Sequence, residues 1–393
     1  MPGLSMGLGV GISAMRTAFS PASLFRDGSQ GVWCDPSDLS TMFQDAAGTT
    51  PVTAPGDPVG LLLDKSRGLT LGPELLDEYG SGWTAANTTP SISEDTVALT
   101  NGAWRATYSR GFATIVGQSY RLDYGHITDV NGSSPLIRIL TSDTWGGTQL
   151  VSLSPTASGG SVLFTATTTT TYIYLGANAV ASGLVSSFGP TSVKHLPGHH
   201  ASQATASKRP TYQTDGTLHW LSFDGVDDFM AVPLAATQSL QKFTAVLGLS
   251  FRNIAATGMV LASSDAASRY AYAMYSGGGE ATARLRSSAA TPDVISTPAT
   301  NNVPLITNTA YDGSVGELRL RSNGTDAAST GTSGGGGTPD TNPFYLGARN
   351  GDGTADLFSN SRIYGIVMLG RILTMTETSD TEQYLADKSG VTL

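Results

Sequence analysis

A chain of 393 residues suits two or three domains and is too long for one ordinary domain. Only 13% of residues are charged, against about 25% in an average soluble protein, and Ser, Thr and 47 Gly take their place. With 5 Trp, 14 Tyr and 12 Phe to build cores, this composition excludes intrinsic disorder; a net charge of -9 without a basic cluster excludes nucleic acid and anionic membrane as partners.

Cys34 is the only cysteine, so no disulfide can form within the chain and stability must come from core burial. Beside Trp33 it reads as a small buried hydrophobe. No stretch approaches the length of a membrane-spanning helix. Residues 1–20 open with an apolar run broken by Gly3, Gly7, Gly9 and Gly11, which make a helix costly. Its only charge, Arg16, follows the apolar run, which is the wrong order for a signal peptide. A Gly-rich terminus orders only when something ties it down. The segment is therefore expected to dock in a groove of a neighbouring chain through Leu4, Met6, Leu8, Val10 and Ile12.

From residue 21 to 70 one short helix is expected, capped by Asp35 with Pro36 at its first position. It would run to Gln44 with Leu39, Met42 and Phe43 inward. Pro51, Pro55, Gly56 and Pro58 then force an extended path into a short strand at Val59–Leu63. Residues 71–193 form a block of seven or eight short strands. Among them are Ala103–Tyr108, Tyr120–His126, Leu136–Leu140, Val162–Ala166, Tyr172–Ala177 and Thr191–Val193, separated by Asn-Gly and Gly-Gly turns. Strand count and spacing point to a sandwich or jelly roll. Residues 194–393 form a second strand-rich block, with long candidates at Phe243–Phe251, Val303–Tyr311 and Ser361–Leu369. Gly334 to Gly337 mark a loop tip. Residues 376–388 read as a helix capped by Thr376 or Ser379 and stopped by Gly390.

The second block resembles the laminin-G, or concanavalin A-like, lectin superfamily. The likeness is carried in order by Leu221-Ser222-Phe223-Asp224-Gly225-Val226-Asp227-Asp228, the strand Phe243–Phe251, Asn323-Gly324-Thr325, Leu346-Gly347 and Ile363–Leu373. Residues 33–52 resemble a segment that opens many phage and prophage proteins of this kind. Asp64-Lys65-Ser66, His200-Ala201-Ser202-Gln203-Ala204-Thr205 and Arg209-Pro210-Thr211-Tyr212 resemble the two ends of another such segment. What lies between them is an insertion in one surface loop, which a fold tolerates because a longer loop costs little extra closure entropy. The insert is similar to jelly-roll carbohydrate-binding modules at Gly82-Trp83-Thr84, Gly117–Leu122 and Phe164–Leu175.

No Gly-x-Ser-x-Gly elbow, phosphate loop or dinucleotide fingerprint is present, so no catalytic residue is assigned. His195, His199 and His200 could bind zinc by residue type. Pro197 and Gly198 prevent a helical arrangement and no Cys lies nearby, so they read as a surface loop. Asp123, Asp129 and Asp143 read as solvated turn residues rather than a glycosidase pair. Asp352-Gly353-Thr354-Ala355-Asp356 is similar to a calcium loop without the fixed ligand spacing, and a structural calcium stays open as the only cofactor. Sugars stack their C–H faces on flat rings, which makes Trp145, Trp104 and Tyr124, with Arg105, the candidate binding residues. Core packing is the competing reading, favoured for Trp104 and Tyr124 and balanced for the loop residue Trp145. Trp33, Trp83 and Trp220 read as core.

The expected fold is mainly β. A laminin-G-like sandwich (21–70 and 194–393) hosts an inserted jelly-roll sandwich (71–193), with short helices and the docking peptide 1–20. The resemblance implies a non-enzymatic virion protein, a tail-fibre or receptor-binding subunit. It would be trimeric, attached to other virion proteins through its N-terminus and to host surface polysaccharide through its modules. A head-decoration protein and a glycan depolymerase are the rival expectations.

Overall fold

The computed structural model describes residues 19–233, 242–263, 269–286, 293–312, 314–331, 338–339, 343–351 and 353–393. The proposed docking residues Leu4, Met6, Leu8, Val10 and Ile12, the Gly334–Gly337 tip and Asp352 lie outside them. The architecture is mainly β, in two sandwiches. Among the described residues no helix is long and apolar enough to cross a membrane.

The larger sandwich packs two sheets. One runs Thr211–Thr214, His219–Asp224, Asn360–Leu369, Lys242–Phe251, Leu305–Asp312, Glu317–Ser322, Thr325–Gly331, with Gly31–Cys34 also pairing onto Asn360–Leu369. The other begins Met42–Phe43, Leu61–Leu62, Ala201–Ser202, Met230–Val232, Phe344–Leu346 and continues through Gly258–Ala262 to Asp293–Pro298. Their facing side chains make one core: Phe223, Leu247, Leu249 and Ile363 from the first sheet meet Met230, Val260, Met274 and Leu346 from the second. Cys34 is buried in this core as a free thiol.

The helix Met375–Ser389 lies on the outer face of the first sheet, where Leu385 and Ala386 pack with Leu24, Trp33, Val246 and Val367. Its cap is Thr374, not Thr376 or Ser379. The Glu377 N–H donates to Thr374 Oγ1 (3.3 Å) while the Thr374 N–H donates to Glu377 Oε2 (2.8 Å), a reciprocal box that needs Glu three residues after the cap. Gly390 ends the helix at φ +71°, the left-handed conformation glycine adopts without strain.

The helix expected at Asp35–Gln44 does not form. Leu39–Thr41 is a single 3-10 turn, and Met42–Phe43 is a strand whose Met42 pairs with Leu62 and is fully buried. Asp35 is engaged elsewhere: its carboxylate accepts from Ser37 and from the Tyr384 hydroxyl (2.8 Å) and faces Lys388 (3.3 Å). Sheet pairing overrides the local helix signal here.

Every strand between Thr84 and Leu196 pairs within the smaller sandwich. A sheet ordered Gln149–Leu153, Pro135–Leu140, Thr170–Ala177, Thr107–Ala113, Thr84–Ala86 covers two others. These are Gly160–Thr165, Ser119–Tyr124, Thr191–Leu196 and Ser91–Ser93, Thr96–Thr100, Val185–Phe188, Ile127–Asp129. Alternation explains the packing. Ile137 pairs with Leu175 and Ile139 with Ile173, all four turned into the core. Arg138 pairs with Tyr174 and Leu136 with Gly176, so these lie on the sheet's other face. The strand expected at Ala103–Tyr108 instead starts at Thr107, and the one expected to stop at Val193 runs on to Leu196.

The two sandwiches meet where the chain leaves one and returns. Leu61–Leu62 pairs with Ala201–Ser202, and the Gly72 N–H donates to the His195 carbonyl (2.8 Å). Thus His195 sits on a strand, while His199 and His200 are 5% and 3% exposed, not parts of a surface loop. Asp64, fully buried, organises the crossing. Its carboxylate accepts from the N–H groups of Trp33 (2.8 Å), Ser66 (2.8 Å) and His199 (2.7 Å) and from the Ser66 hydroxyl (2.8 Å).

Candidate functional site

The outer face of the five-stranded sheet carries the candidate Trp145. The loop after Pro135–Leu140 is closed by Thr141 N–H to Thr148 O (3.1 Å) and a tight turn from Gly147 N–H to Thr144 O (2.8 Å). It folds Trp145 back over the sheet. There the ring lies against Gly176: a Cβ at that position would come within 2.7 Å of Trp145 Cζ3. The residue needs no Cβ because the ring occupies that space. Tyr172 lies over Gly111 in the same way, 2.8 Å from where a Cβ would be.

Two guanidiniums flank the Trp145 ring. Arg138 stands 4.2 Å and Arg105 5.3 Å from its centroid, within cation–π range. Arg138 Nη1 also donates to the Trp145 carbonyl (3.0 Å), fastening the loop to the strand below. Both arginines use Asn178: Arg138 Nη2 donates to its Oδ1 (3.2 Å) and Arg105 Nη2 to its carbonyl (3.1 Å). Tyr174 meets Trp145 edge-on at 6.0 Å and donates its hydroxyl to Asp143 Oδ1 (2.6 Å). Burial, and then the bond to Asp143, push the Tyr174 hydroxyl up to about 12. Burial and the neighbouring Arg105 charge lower Arg138 from the usual guanidinium value.

The sequence candidates divide. Trp145 and Arg105 come together; Arg138 and Asn178 complete the cluster and were not anticipated. Trp145, balanced between an exposed and a core ring, is half-buried because Gly176 gives it a seat. Trp104, favoured for the core, is 58% exposed, since the strand starts only at Thr107 and leaves it in a bend. Tyr124 belongs to a different sheet, on Ser119–Tyr124, where it is half-buried and packs against the core. Trp33 is core, Trp83 is half-buried and packs against the smaller sandwich's core, and Trp220 is half-buried. Trp83 stacks on Tyr108 (4.9 Å, 20°), and Trp220 carries the Arg362 guanidinium 5.0 Å over its ring.

Acidic residues gather in two other places. The turn after His219–Asp224 brings Asp224, Asp227 and Asp228 together, with one carboxylate oxygen of each within 4.8 Å of the others. Hard oxygen ligands of this kind suit calcium. The turn also uses them itself: Asp224 Oδ1 accepts from Val226 N–H (2.8 Å), and Asp228 Oδ2 from Asp224 N–H (3.0 Å). Burial and Asp224 push Asp228 up to about 7. In the calcium-like segment, Asp356 is paired with Arg349 (2.5 Å). The second gathering is a cleft of about 340 Å³ on the smaller sandwich, lined by Glu74, Asp77, Glu78, Glu94 and Asp95. Glu74 is spent on the Val193 N–H (2.9 Å) and the Ser192 hydroxyl (2.5 Å), and Asp77 on Arg110. Asp123 is not in a turn but on its strand, paired with Arg121 (2.9 Å). Asp129 holds its loop by accepting from the N–H groups of Gly132 (2.6 Å) and Ser133 (2.8 Å).

No protein-family model matches the sequence, and no curated protein matches it. Solved structures are similar in part. The Ruminococcus gnavus IT-sialidase CBM40, a carbohydrate-binding module solved with α2,3-sialyllactose, aligns at TM-score 0.34 and 14% identity over 40% of this chain and 93% of that one. The NanB sialidase from Streptococcus pneumoniae aligns at 0.34 and 13%, over 41% of this chain and 27% of that one. The match therefore spans about a quarter of the sialidase. The botulinum neurotoxin serotype G binding domain aligns at 0.37 and 11%, over 44% of each chain. Likenesses this remote assign no function. Sheet topology defines the class by itself: a mainly β protein of two joined sandwiches.

Proposed function

We propose that the chain is a bacteriophage virion protein, a tail-fibre or receptor-binding subunit that attaches to host cell-surface glycan. The ordered motifs of residues 33–52, 64–66 and 200–212 support the virion reading by resemblance. One observation carries the glycan reading: an exposed ring, Trp104, stands in sequence next to Arg105, and Arg105 shares the half-buried ring of Trp145 with Arg138. Flat rings offer a surface for sugar C–H faces, and guanidinium N–H groups offer donors for its oxygens. The task is gripping, not chemistry. Residues 1–20 would fix the subunit to the particle, and a trimer would multiply weak contacts by about two to four orders of magnitude.

The test is retention of the purified chain on deproteinised surface polysaccharide of the host. Wild type is expected to bind and Trp104→Ala to lose binding while melting at the same temperature. Equal binding by both would remove this face from the reading. A particle map placing the chain on the capsid lattice would favour the head-decoration rival.

A depolymerase has one observation behind it, the carboxylate-lined cleft with Glu78, Glu94 and Asp95. Release of reducing ends from the same polysaccharide, abolished by Glu94→Gln or Asp95→Asn, is what that reading requires.

A further inference from the structure

We infer that the glycan taken by the Trp145 face is an anionic one, a saccharide bearing carboxylate, sulfate or phosphate, read by Arg105 and Arg138. The inference rests on the glycan reading above and specifies the ligand's charge.

Elsewhere in the described residues many cations stand beside carboxylates, although Arg252 and Arg362, the latter beside Trp220, make no ion pair either. Arg121 pairs with Asp123, Arg321 with Glu382 and Arg371 with Glu377. Arg105 and Arg138 pair with none. They face one ring from within 5.3 Å of its centroid, close enough for the charge of Arg105 to act on Arg138. The carboxylate in their own loop, Asp143, makes no ion pair with either and accepts from the Tyr174 hydroxyl at 2.6 Å. Their hydrogen bonds go to neutral acceptors, the Asn178 carbonyl and side-chain oxygen and the Trp145 carbonyl. Each guanidinium has five N–H groups in a rigid fork; the Nε–H of both is buried without a partner, so the donors left for a ligand after one bond from Arg105 and two from Arg138 are Nη hydrogens.

Two like charges held together on a chain of net charge -9 have a physical cost that an incoming anion relieves. The guanidinium fork matches carboxylate, sulfate and phosphate oxygens with two parallel bonds, which a neutral hydroxyl cannot reproduce. A neutral sugar would need only the ring and ordinary acceptors. Trp104 is exposed and adjacent in sequence to Arg105, and the Trp104→Ala variant tests whether its ring shares the site.

The experiment is a glycan array probed with the full chain, carrying uronate-, sialate-, sulfate- and phosphate-bearing saccharides beside neutral ones. Binding confined to acidic members is expected, and the arms identify the anion. Arg105→Gln and Arg138→Gln should each weaken it by about tenfold or more, as loss of a charge-assisted bond does. Raising salt from about 0.1 to 0.5 M should weaken wild type as well. Arg138→Gln also frees the Trp145 loop, so Arg105→Gln, whose residue bonds only Asn178, and the salt series keep the test decisive if that variant misfolds. Neutral glycans bound as tightly as acidic ones, unchanged in Arg105→Gln and in salt, would overturn the inference and leave the glycan reading standing. Binding to no saccharide at all would overturn both.

Discussion

The backbone N–H of Asp64 donates to Nδ1 of His200, 136 residues further along the chain and 2.9 Å away. The bond spans the neck through which the chain leaves the larger sandwich and returns. It also fixes the ring chemically. With Nδ1 accepting, the neutral imidazole carries its proton on Nε2, which has no hydrogen-bond partner among the described residues. The ring lines a cleft of about 260 Å³ between the two sandwiches, beside Leu61, Leu163 and Phe164. Gly198 makes the approach possible. Its φ is +133°, and a Cβ there would lie 2.9 Å from His200 Cε1 and 3.1 Å from Asp64 Oδ2.

Removing the Asp64 carboxylate should loosen this neck more than any surface charge does. Asp64→Ala leaves the buried N–H groups of Trp33, Ser66 and His199 without their acceptor. The expected loss is about 3–5 kcal/mol in urea unfolding, the penalty for several orphaned donors. Lys242→Ala, which breaks a partly exposed pair with Asp312, should cost under about 1 kcal/mol. Equal losses would show that the carboxylate is not the organiser.

The same neck should weaken in acid. Burial drives the His200 pKa down to about 4 from 6.5, and burial lowers His199 as well. Protonating Nδ1 would set two donors against each other at Asp64. Between pH 6.5 and 4 the unfolded chain binds a proton that the folded one refuses, so stability is flat above that window and falls within it. For His200 the fall approaches about 3 kcal/mol. Wild type should therefore exceed His200→Gln in stability near pH 7 and converge on it as pH falls toward about 4.5. A gap independent of pH would contradict the neutral buried ring.

Much of this arrangement follows from sequence and some of it could not. Alternation in Leu136–Leu140 and Tyr172–Ala177 reads directly as two half-buried strands, and the structure pairs them with Ile137, Ile139, Ile173 and Leu175 inward. The Asp64-Lys65-Ser66 and His200–Thr205 pieces, read as the two ends of one segment, do sit together. The burial of His199 and His200 was hidden because their partner lies far upstream and local residues suggested only a turn. Met42 looked helical for the same reason, since its strand partner Leu62 is twenty residues away. Trp104, read as core, is exposed because the strand starts only at Thr107, while the glycine at 176 lets the Trp145 ring lie on the sheet. The acidic turn Asp224–Asp228 was legible as a motif, but not as three carboxylates within reach of one another.

Asp228 should respond to pH in the opposite sense to His200. It is 7% exposed beside Asp224 and Asp227, with Arg252 the nearby cation, and its pKa is pushed up to about 7. The folded state thus holds a proton that the unfolded state releases above 3.8. Stability from this group is full below 3.8, falls as pH rises toward 7 and is gone above it. Asp228→Asn mimics the protonated form and escapes that loss. Allowing for solvent screening at the turn, it should stabilise the protein by about 1–2 kcal/mol at pH 8 and by nothing near pH 4. Added calcium tests the cluster separately: if the three carboxylates take the ion, wild type gains melting temperature with calcium and Asp228→Asn gains less.

Gly176 and Trp145 should prove energetically coupled. A Cβ on Gly176 would sit 2.7 Å from Cζ3 and 2.9 Å from Cη2 of the indole, and 2.9 Å from the Ala106 carbonyl oxygen. Gly176→Ala must therefore push the ring off the sheet, at an expected cost of about 1–3 kcal/mol. In a Trp145→Ala background only the Ala106 contact remains, so the cost should fall by at least about 0.5 kcal/mol, measured as the coupling in a double-mutant cycle. Displacing the ring also moves what is anchored to it, because Arg138 bonds the Trp145 carbonyl and Arg105 faces the indole. Glycan retention should accordingly fall in Gly176→Ala although no polar group is lost. Trp104→Ala should reduce retention with little change in stability, its ring being 58% exposed. Strictly additive stabilities for Gly176→Ala and Trp145→Ala would mean that the ring does not rest on the glycine. Undiminished retention in Gly176→Ala would mean that its position does not matter for binding.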